Sequence, residues 1–390
     1  MTVKQLIEKN HDYILEMRRE FHRHPELSCQ EERTSRRICE ELEKIGIFHT
    51  VVGNRNVVGI INPGAPGKRI AIRGDIDALP ITEETGLPFA SENPGVMHAC
   101  GHDMHIAILL GTGMVLNEIK DQLTGSVKLI FQPAEETFNG AQSIIDKGHL
   151  DDVEYFIAMH VALSAENRPL PSNTIACGCK DFLSDRQLDV TFHGRAAHPC
   201  GAAQEGKNAL LAACTAALNL HAIAPHEEGL CRVNVGELYA GVAPNTIAPN
   251  ALMKVEYRGQ TPAVAAYAGK RVFDILDGAA KAYDMTYTYL DYGEVPAGKS
   301  DDAMMAVIER AAKKVPWFEK IYFEGNVGGT DDAAAMLTKV QQNGGMGTYI
   351  GIGSDTTQPV HNAEFDIDED CIDAAIDLCM FALEELHGIG

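Results

Sequence analysis

The segment MHACGHDMH, residues 97–105, concentrates side chains that can bind a metal ion. It places His98, Cys100, His102, Asp103 and His105 within nine positions. Imidazole, thiolate and carboxylate groups are ligands for divalent first-row transition metals. Cys100 and His102 are spaced so that both can point from one loop. The segment therefore predicts part of a metal site.

Further polar side chains follow apolar segments that are typical of buried strands. RIAIRGDID contains Asp75 and Asp77, SVKLIFQPAEE ends in Glu135 and Glu136, and EYFIAMH ends in His160. Ligands of α/β sheets gather beyond the carboxyl ends of strands. Alone, His160 is more often a hydrogen-bonded structural histidine, and two adjacent glutamates are usually a solvated turn. Their occurrence at successive strand ends favours a shared site.

A site for two metal ions needs about five or six protein ligands from several elements. The candidates are Cys100, His102, Glu136, His160 and the distant His361 in QPVHNAEFD. Alternation along a strand would point adjacent glutamates in different directions, so the pair at 135–136 can serve two roles.

The elements that position these residues alternate between strand-like and helical patterns. Strand-like runs at 56–62, 69–75, 126–132 and 154–160, with a helix-length segment at 104–123, predict an α/β layer with a largely parallel sheet. From residue 186 the order becomes strand, helix, strand, strand, helix, strand, which is a ferredoxin-like βαββαβ unit. We therefore predict a core domain of residues 1–183 and 295–390, interrupted by an inserted domain at 184–294.

Composition and charge exclude several functions. The chain has 390 residues and a formal net charge of −22, which disfavours nucleic acid and anionic membrane surfaces. It contains no apolar run near the roughly 18 residues that span a bilayer. The charged N-terminal segment lacks a secretory signal pattern, so we expect a cytoplasmic protein. The ten cysteines are expected to be reduced thiols.

Four motifs in this order, MHACGHDMH, FQPAEE, AMHV and PVHNAEFDIDE, resemble the M20 metallopeptidase family, in particular its amidohydrolase branch that cleaves N-acyl amino acids. EFHRHPELSCQEERT, RGDIDALPI and FHGRAAHP fit the same family, so the resemblance covers essentially the whole chain. It implies a mixed-sheet catalytic domain of the dinuclear metallopeptidase type, with an inserted ferredoxin-like lid and dimerisation domain.

The resemblance also implies two divalent metal ions per protomer. The implied ligands are Cys100, His102, Glu136, His160 and His361, with Glu136 or Cys100 bridging the ions. Zinc and manganese suit this donor set best, and cobalt or nickel can occupy the same ligands.

The resemblance makes Glu135 the general base. A water whose pKa a metal lowers to about 7 needs a carboxylate to take its proton and deliver it to the leaving amine. Asp77 and Asp103 are expected to orient ligands, and His98 and His105 to be structural neighbours.

For the inserted domain, the resemblance implies that Arg258 and Asn245 hold the substrate carboxylate. His198 would reach the scissile carbonyl oxygen, commonly from the partner protomer of a dimer. Without the resemblance, Arg258 would be interpreted as a surface arginine, and His198 as packing beside Pro199 in a rigid loop.

Two departures from the family affect the expected acyl pocket. Gln204 stands where relatives often have proline, and GGTDDAAAM at 328–336 replaces a more usual acidic-aromatic pattern.

The predicted function is metal-dependent hydrolysis of the amide bond of an N-acyl amino acid, including aminobenzoyl and other aromatic acyl groups. Two alternatives are an M20 carboxypeptidase or dipeptidase that acts on short peptides, and a non-catalytic partner protein. The complete ligand set and Glu135 argue against the latter. We expect a homodimer, and the alternative is a hetero-oligomer that contains a paralogous chain.

Overall fold

The computed structural model describes residues 1–53 and 55–387, and the chain divides into two compact units. Unit 1 consists of Met1–Asp181 and Lys299–Gly390, and unit 2 of Phe182–Gly298. Unit 1 is therefore assembled from two separate chain segments, and unit 2 from the segment between them.

The bounds of the elements follow, in chain order. The helices are α1 (Val3–Arg23), α2 (Glu32–Ile45), α3 (His102–Glu118), α4 (Ala141–Asp146), α5 (Ala209–His221), α6 (Pro262–Ala282), α7 (Asp302–Ala312), α8 (Ala333–Gln342) and α9 (Cys371–His387). The strands are β1 (Phe48–Val52), β2 (Asn56–Ile61), β3 (Arg69–Asp75), β4 (Ser126–Gln132), β5 (Tyr155–Val161), β6 (Ser164–Ala165), β7 (Arg168–Pro169), β8 (Thr174–Ala176), β9 (Asp185–His193), β10 (Cys231–Ala240), β11 (Asn250–Gly259), β12 (Thr286–Val295), β13 (Lys320–Tyr322) and β14 (Met346–Ile352).

Unit 1 contains a mixed eight-stranded sheet in the order β1-β2-β4-β3-β5-β14-β8-β13. The central strands β4, β3, β5 and β14 run parallel, so their carboxyl ends share one edge. Every residue of β4 is buried, as expected for a strand covered on both faces. Helix α3 is buried from His102 to Leu116, as expected for a helix that has apolar residues on all of its sides. The predicted α/β class with a mixed sheet is confirmed.

Unit 2 has the element order βαββαβ and an antiparallel sheet in the order β10-β11-β9-β12. Buried and more exposed residues alternate along β9 and β11. One face of this sheet therefore packs on α5 and α6, and the other face carries polar side chains.

Within the described residues, no helix combines the length and the apolar composition that crossing a bilayer requires.

A buried arginine joins the middle of the unit 1 sheet to the segment before α8. Arg73 on β3 is 0% exposed, and its guanidinium lies 2.6 Å from Asp75, 3.1 Å from Asp331 and 3.2 Å from Asp332. Burial lowers its pKa, but these carboxylates outweigh burial and hold the pKa well above the ordinary value. The arginine is therefore the shared counter-ion of three buried carboxylates.

Replacing Arg73 by methionine tests this arrangement. The variant leaves three buried carboxylates without their cation, so we expect unfolding free energy to fall by about 3–5 kcal/mol. Arg69 on the same strand is the matched control, because its side chain is 43% exposed and pairs with Asp152 at the surface. Arg69→Met should cost less than about 1 kcal/mol in the same denaturant titration. Equal losses in the two variants would contradict the assignment.

Candidate metal centre

The structure brings the five predicted metal ligands together in unit 1. Cys100 lies two residues before the start of α3, His102 begins this helix, Glu136 follows β4, and His160 lies in β5. His361 follows β14, and its backbone N–H donates to the carbonyl oxygen of Ala99 at 2.7 Å. Gly101 adopts a φ of +84°, which glycine accepts readily, and so turns the chain between the two ligands of this segment.

The ligand atoms form two overlapping groups. Atoms of Cys100, His102 and His160 lie within 4.8 Å of one another, and the same limit holds for Cys100, Glu136 and His361. The Cys100 sulfur belongs to both groups. The residues therefore provide two adjacent groups of potential metal ligands, which have the Cys100 sulfur in common.

Hydrogen bonds fix which nitrogen each histidine offers. His102 Nδ1 donates to the backbone oxygen of Asp77 at 2.9 Å, and His160 Nδ1 donates to the Val161 carbonyl oxygen. In the neutral rings the Nε2 lone pairs are then available to a metal ion. Nε2 of His160 faces the Cys100 sulfur at 3.5 Å, and Nε2 of His361 lies 3.4 Å from Glu136 Oε1.

Two buried polar atoms without hydrogen-bond partners show whether these side chains suit metal ions. His102 Nε2 and Glu136 Oε1 are buried and have no hydrogen-bond partner among the described residues. Leaving such atoms unsatisfied is costly, and coordination of a cation would satisfy both. Burial also raises the pKa of the Cys100 thiol to about 12, so a nearby positive charge is needed to form the thiolate. The residues therefore fit a pair of divalent cations.

The other two histidines of the segment differ from these ligands. His105 Nδ1 donates to Asp75 at 2.5 Å, while its Nε2 accepts the Val161 N–H at 2.9 Å. Both nitrogens are occupied, so His105 connects β3, α3 and β5 rather than offering a lone pair. His98 is buried, its pKa is lowered to about 4 by burial, and neither ring nitrogen has a hydrogen-bond partner in the described part of the chain.

Glu135 and Glu136 lie in a turn after β4, which ends at Gln132, so strand alternation is not what separates their side chains. Ala134 has a φ of +55°, and its N–H donates to the buried Glu31 at 2.8 Å. The N–H of Glu136 donates to Asp77 at 3.1 Å. These two carboxylates fix the turn, which places Glu136 among the ligands and Glu135 beside them.

Glu135 is surrounded by other acidic groups. One of its oxygens lies within 4.8 Å of Asp331 and Asp332, and one lies within this distance of Glu136 and His102. Burial raises the Glu135 pKa, and the charges of Asp331 and Glu136 raise it further. The carboxylate is thus positioned next to the ligand cluster in surroundings that favour proton uptake.

Asp77 and Asp103 support the cluster in different ways. Asp77 contacts the His102 ring, with Oδ1 3.3 Å from Nδ1. Asp103 instead pairs with His22 Nδ1 at 2.8 Å and with Arg18 Nε at 2.8 Å. Arg18 also pairs with Asp366 at 3.3 Å, so it connects the start of α3 to the segment that carries His361.

Sequence analysis did not identify Glu31, Arg73, Asp331 or Asp332 as residues that shape this site. Their partners are distant in sequence: Glu31 binds Ala134, and Arg73 binds the two aspartates of GGTDDAAAM. The sequence offered a signal for two of them only: Asp331 and Asp332 are adjacent acidic residues in GGTDDAAAM, which departs from the family pattern.

The predicted catalytic residue His198 and the two predicted substrate-binding residues, Asn245 and Arg258, lie in unit 2. His198 follows β9, and its Nδ1 accepts the N–H groups of Cys200 at 3.2 Å and Gly201 at 3.0 Å. The neutral ring must therefore carry its proton on Nε2. Asn245 is exposed in the loop between β10 and β11, and Arg258 lies near the end of β11.

Unit 2 does not bring these three residues together. The Ile247 N–H donates to Ala197 at 3.0 Å, which joins the loops of His198 and Asn245 at the Asn250 end of β11. Arg258 lies eight positions after Asn250 on this strand. At about 3.3 Å per residue, Arg258 is about 26 Å away from that end.

The sequence model of peptidase family M20/M25/M40 matches residues 71–385. The chain is 38% identical over 333 residues to the indole-3-acetyl-aspartic acid hydrolase of Enterobacter agglomerans, covering 83% of this chain and 75% of that protein. It is also 38% identical over 333 residues to one of the subunits of the p-aminobenzoyl-glutamate hydrolase of Escherichia coli, again covering 83% of this chain and 75% of that protein. A solved structure from Bacillus subtilis, described as a dinuclear metal binding peptidase from the M20 family, superposes with a TM-score of 0.79 at 28% identity, covering 98% of this chain and 100% of that one.

The contrast between His102 and His105 predicts different outcomes for two alanine variants. His102→Ala should lower the bound metal measured by elemental analysis, because an unbonded ligand nitrogen is removed. His105→Ala should keep the metal but lower stability by about 1–3 kcal/mol, because Asp75 and the Val161 N–H lose a buried partner. A normal metal content in His102→Ala would refute the assignment.

Proposed function

The chain belongs to peptidase family M20/M25/M40, and we propose that it hydrolyses the amide bond of N-acyl amino acids, releasing a carboxylic acid and a free amino acid. The observation that carries the proposal is the cluster of Cys100, His102, Glu136, His160 and His361, in which every side chain except the exposed His361 is wholly or largely buried, with the carboxylate of Glu135 beside it. A metallo-amidohydrolase needs metal ligands and a general base close to one another, and this cluster offers both.

The substrate class is proposed from features that two relatives share. Their names describe an indole-3-acetyl group on aspartic acid and a p-aminobenzoyl group on glutamate. Each joins an aromatic acyl group to an acidic amino acid. We propose the same combination here, with zinc or manganese as the bound ions.

Two divalent cations, when bound, lower the pKa of a coordinated water and polarise the scissile carbonyl group. Glu135 takes the proton of the attacking water and delivers it to the nitrogen of the leaving amino acid. The turn supports this role, because Glu31 and Asp77 hold the backbone at Ala134 and Glu136.

His198 donates its Nε2–H to the carbonyl oxygen as negative charge develops there. The two N–H groups that point at Nδ1 support this role, because they favour the tautomer with a proton on Nε2. A preorganised donor of this kind stabilises the oxyanion more strongly than water does.

The separation of about 26 Å along β11 supports a dimer. In an N-acyl amino acid, a single carbon atom lies between the carboxylate and the amide nitrogen. Arg258 and His198 of one chain therefore cannot both contact the same substrate molecule. We propose a homodimer in which each site combines Arg258 of its own chain with His198 and Asn245 supplied by the partner chain. The outer strands β10 and β12 of the unit 2 sheet offer edges for such pairing.

A hydrolysis screen tests the proposed function directly. Protein loaded with zinc or manganese is incubated with N-acetyl, N-benzoyl and N-(4-aminobenzoyl) amino acids, and separately with free dipeptides. We expect release of the amino acid to be fastest from the aromatic acyl derivatives of aspartate and glutamate. Preferential cleavage of dipeptides would support the carboxypeptidase or dipeptidase alternative instead.

Glu135→Gln should keep both metal ions but reduce hydrolysis by about 10²–10⁴-fold, because the ligands remain while the base is lost. Activity and metal content are measured on the same sample. Glu118→Gln is the matched control, because Glu118 is a surface residue that pairs with Lys9. Near-normal turnover in Glu135→Gln would remove Glu135 from the mechanism.

Mixed dimers test the shared site. A His198→Ala chain and a Glu135→Gln chain, each inactive alone, are co-expressed with different tags and purified as the mixed species. We expect activity to recover toward half of the normal value, because one of the two sites then has an intact Glu135 and an intact His198. Mixed dimers no more active than either parent would exclude the arrangement, and failure of the chain to form dimers would favour a hetero-oligomer.

A further inference from the structure

Two carboxylates of unit 2 bind the guanidinium of Arg258, and they differ in exposure. Arg258 Nη2 lies 2.8 Å from Asp185 Oδ2. Its Nε and Nη2 donate to the two oxygens of Glu256 at 2.8 and 3.1 Å. The side chain of Asp185 is 1% exposed and that of Glu256 is 35% exposed.

Asp185 is a fixed partner of Arg258. It begins β9, and the preceding residue Ser184 forms two hydrogen bonds with Gly259, which follows Arg258. Burial raises the pKa of Asp185 to about 6 despite the attraction of Arg258, so the group is still ionised at pH 7.5. Asp185 therefore holds the guanidinium in one orientation.

Glu256 occupies the edge of the guanidinium that a substrate carboxylate would use. Two parallel N–H donors of arginine bind both oxygens of one carboxylate, and Glu256 already makes this pair of bonds. A substrate carboxylate can make these two bonds only after Glu256 has given them up. Only Glu256 is exposed enough to move.

Glu256 has an alternative partner nearby. Arg232 on β10 is directly opposite Arg258, and Asn234 is opposite Glu256. Arg232 is exposed and shares the sheet face with both residues. Diagonal neighbours in an antiparallel pair are about 7–8 Å apart, which a glutamate and an arginine can span.

We propose that Glu256 occupies the position of the substrate carboxylate on Arg258. Its carboxylate accepts the two parallel hydrogen bonds from the guanidinium until a substrate carboxylate displaces it. A ligand with a carboxylate replaces both hydrogen bonds, whereas a ligand with a neutral carboxamide cannot. Glu256 thereby makes binding selective for a free carboxylate and weakens it at the same time. The inference rests on the proposed role of Arg258.

The test compares Glu256→Gln with the unmodified protein, using N-(4-aminobenzoyl)-L-glutamate and its α-carboxamide as probes. Exposed ion pairs are weak, so removing the competing charge should lower KM for the free acid by about two- to five-fold. KM for the carboxamide and kcat for both probes should not change. Glu237→Gln is the matched control, because Glu237 pairs with Lys254 on the same sheet, 3.2 Å away.

A third variant, Arg258→Gln, separates failure of this inference from failure of the proposed function. If Arg258→Gln raises KM for the free acid while Glu256→Gln leaves it unchanged or raises it, Glu256 is not a competitor and the inference is wrong. If Arg258→Gln does not change KM for either probe, Arg258 does not bind the carboxylate. Both the inference and the proposed binding of the substrate by Arg258 are then wrong.

Discussion

Buried negative charge at the carboxyl edge of the unit 1 sheet must be balanced by positive charge. Burying an ionised carboxylate without a partner costs far more free energy than a folded domain has in reserve. Arg73 balances Asp75, Asp331 and Asp332 within the sheet. The thiol of Cys100 and the carboxylates of Glu135 and Glu136 lie beyond that arginine, where bound cations would provide the balance. Arg73 thus neutralises one part of the buried negative charge, and bound metal ions would neutralise the other part.

The same constraint explains why the ligands need so many supporting residues. An imidazole nitrogen that binds a cation has no lone pair left for a hydrogen bond to the protein, and a carboxylate must be held in the orientation that the cation needs. The opposite side of each group is therefore fixed, through Nδ1 in His102 and His160 and through the backbone in Glu136 and His361. Such supporting partners commonly decide metal affinity as strongly as the ligands do.

The sequence predicted the parts of the site that depend on local spacing. The strands, α3 and the ligand cluster follow from apolar periodicity and from motifs a few residues long. Contacts between distant segments, such as Glu31 with Ala134 and Arg73 with Asp331, leave no local pattern and could not be predicted. Asn245 precedes the start of β11 and Arg258 lies near its end, so the two residues do not meet within one chain. This separation depends on where β11 begins and ends, which the short motifs do not contain.

The division of unit 1 between two chain segments has a consequence for biosynthesis. Strand β14, which pairs with β5, and the segment with His361 are translated only after the whole of unit 2. On the ribosome, unit 2 has all of its strands before unit 1 can complete its sheet. The nascent chain therefore exposes Cys100, His102 and His160 for many seconds at about 5–20 residues per second, before His361 exists. The full metal centre can only be loaded after synthesis is nearly finished.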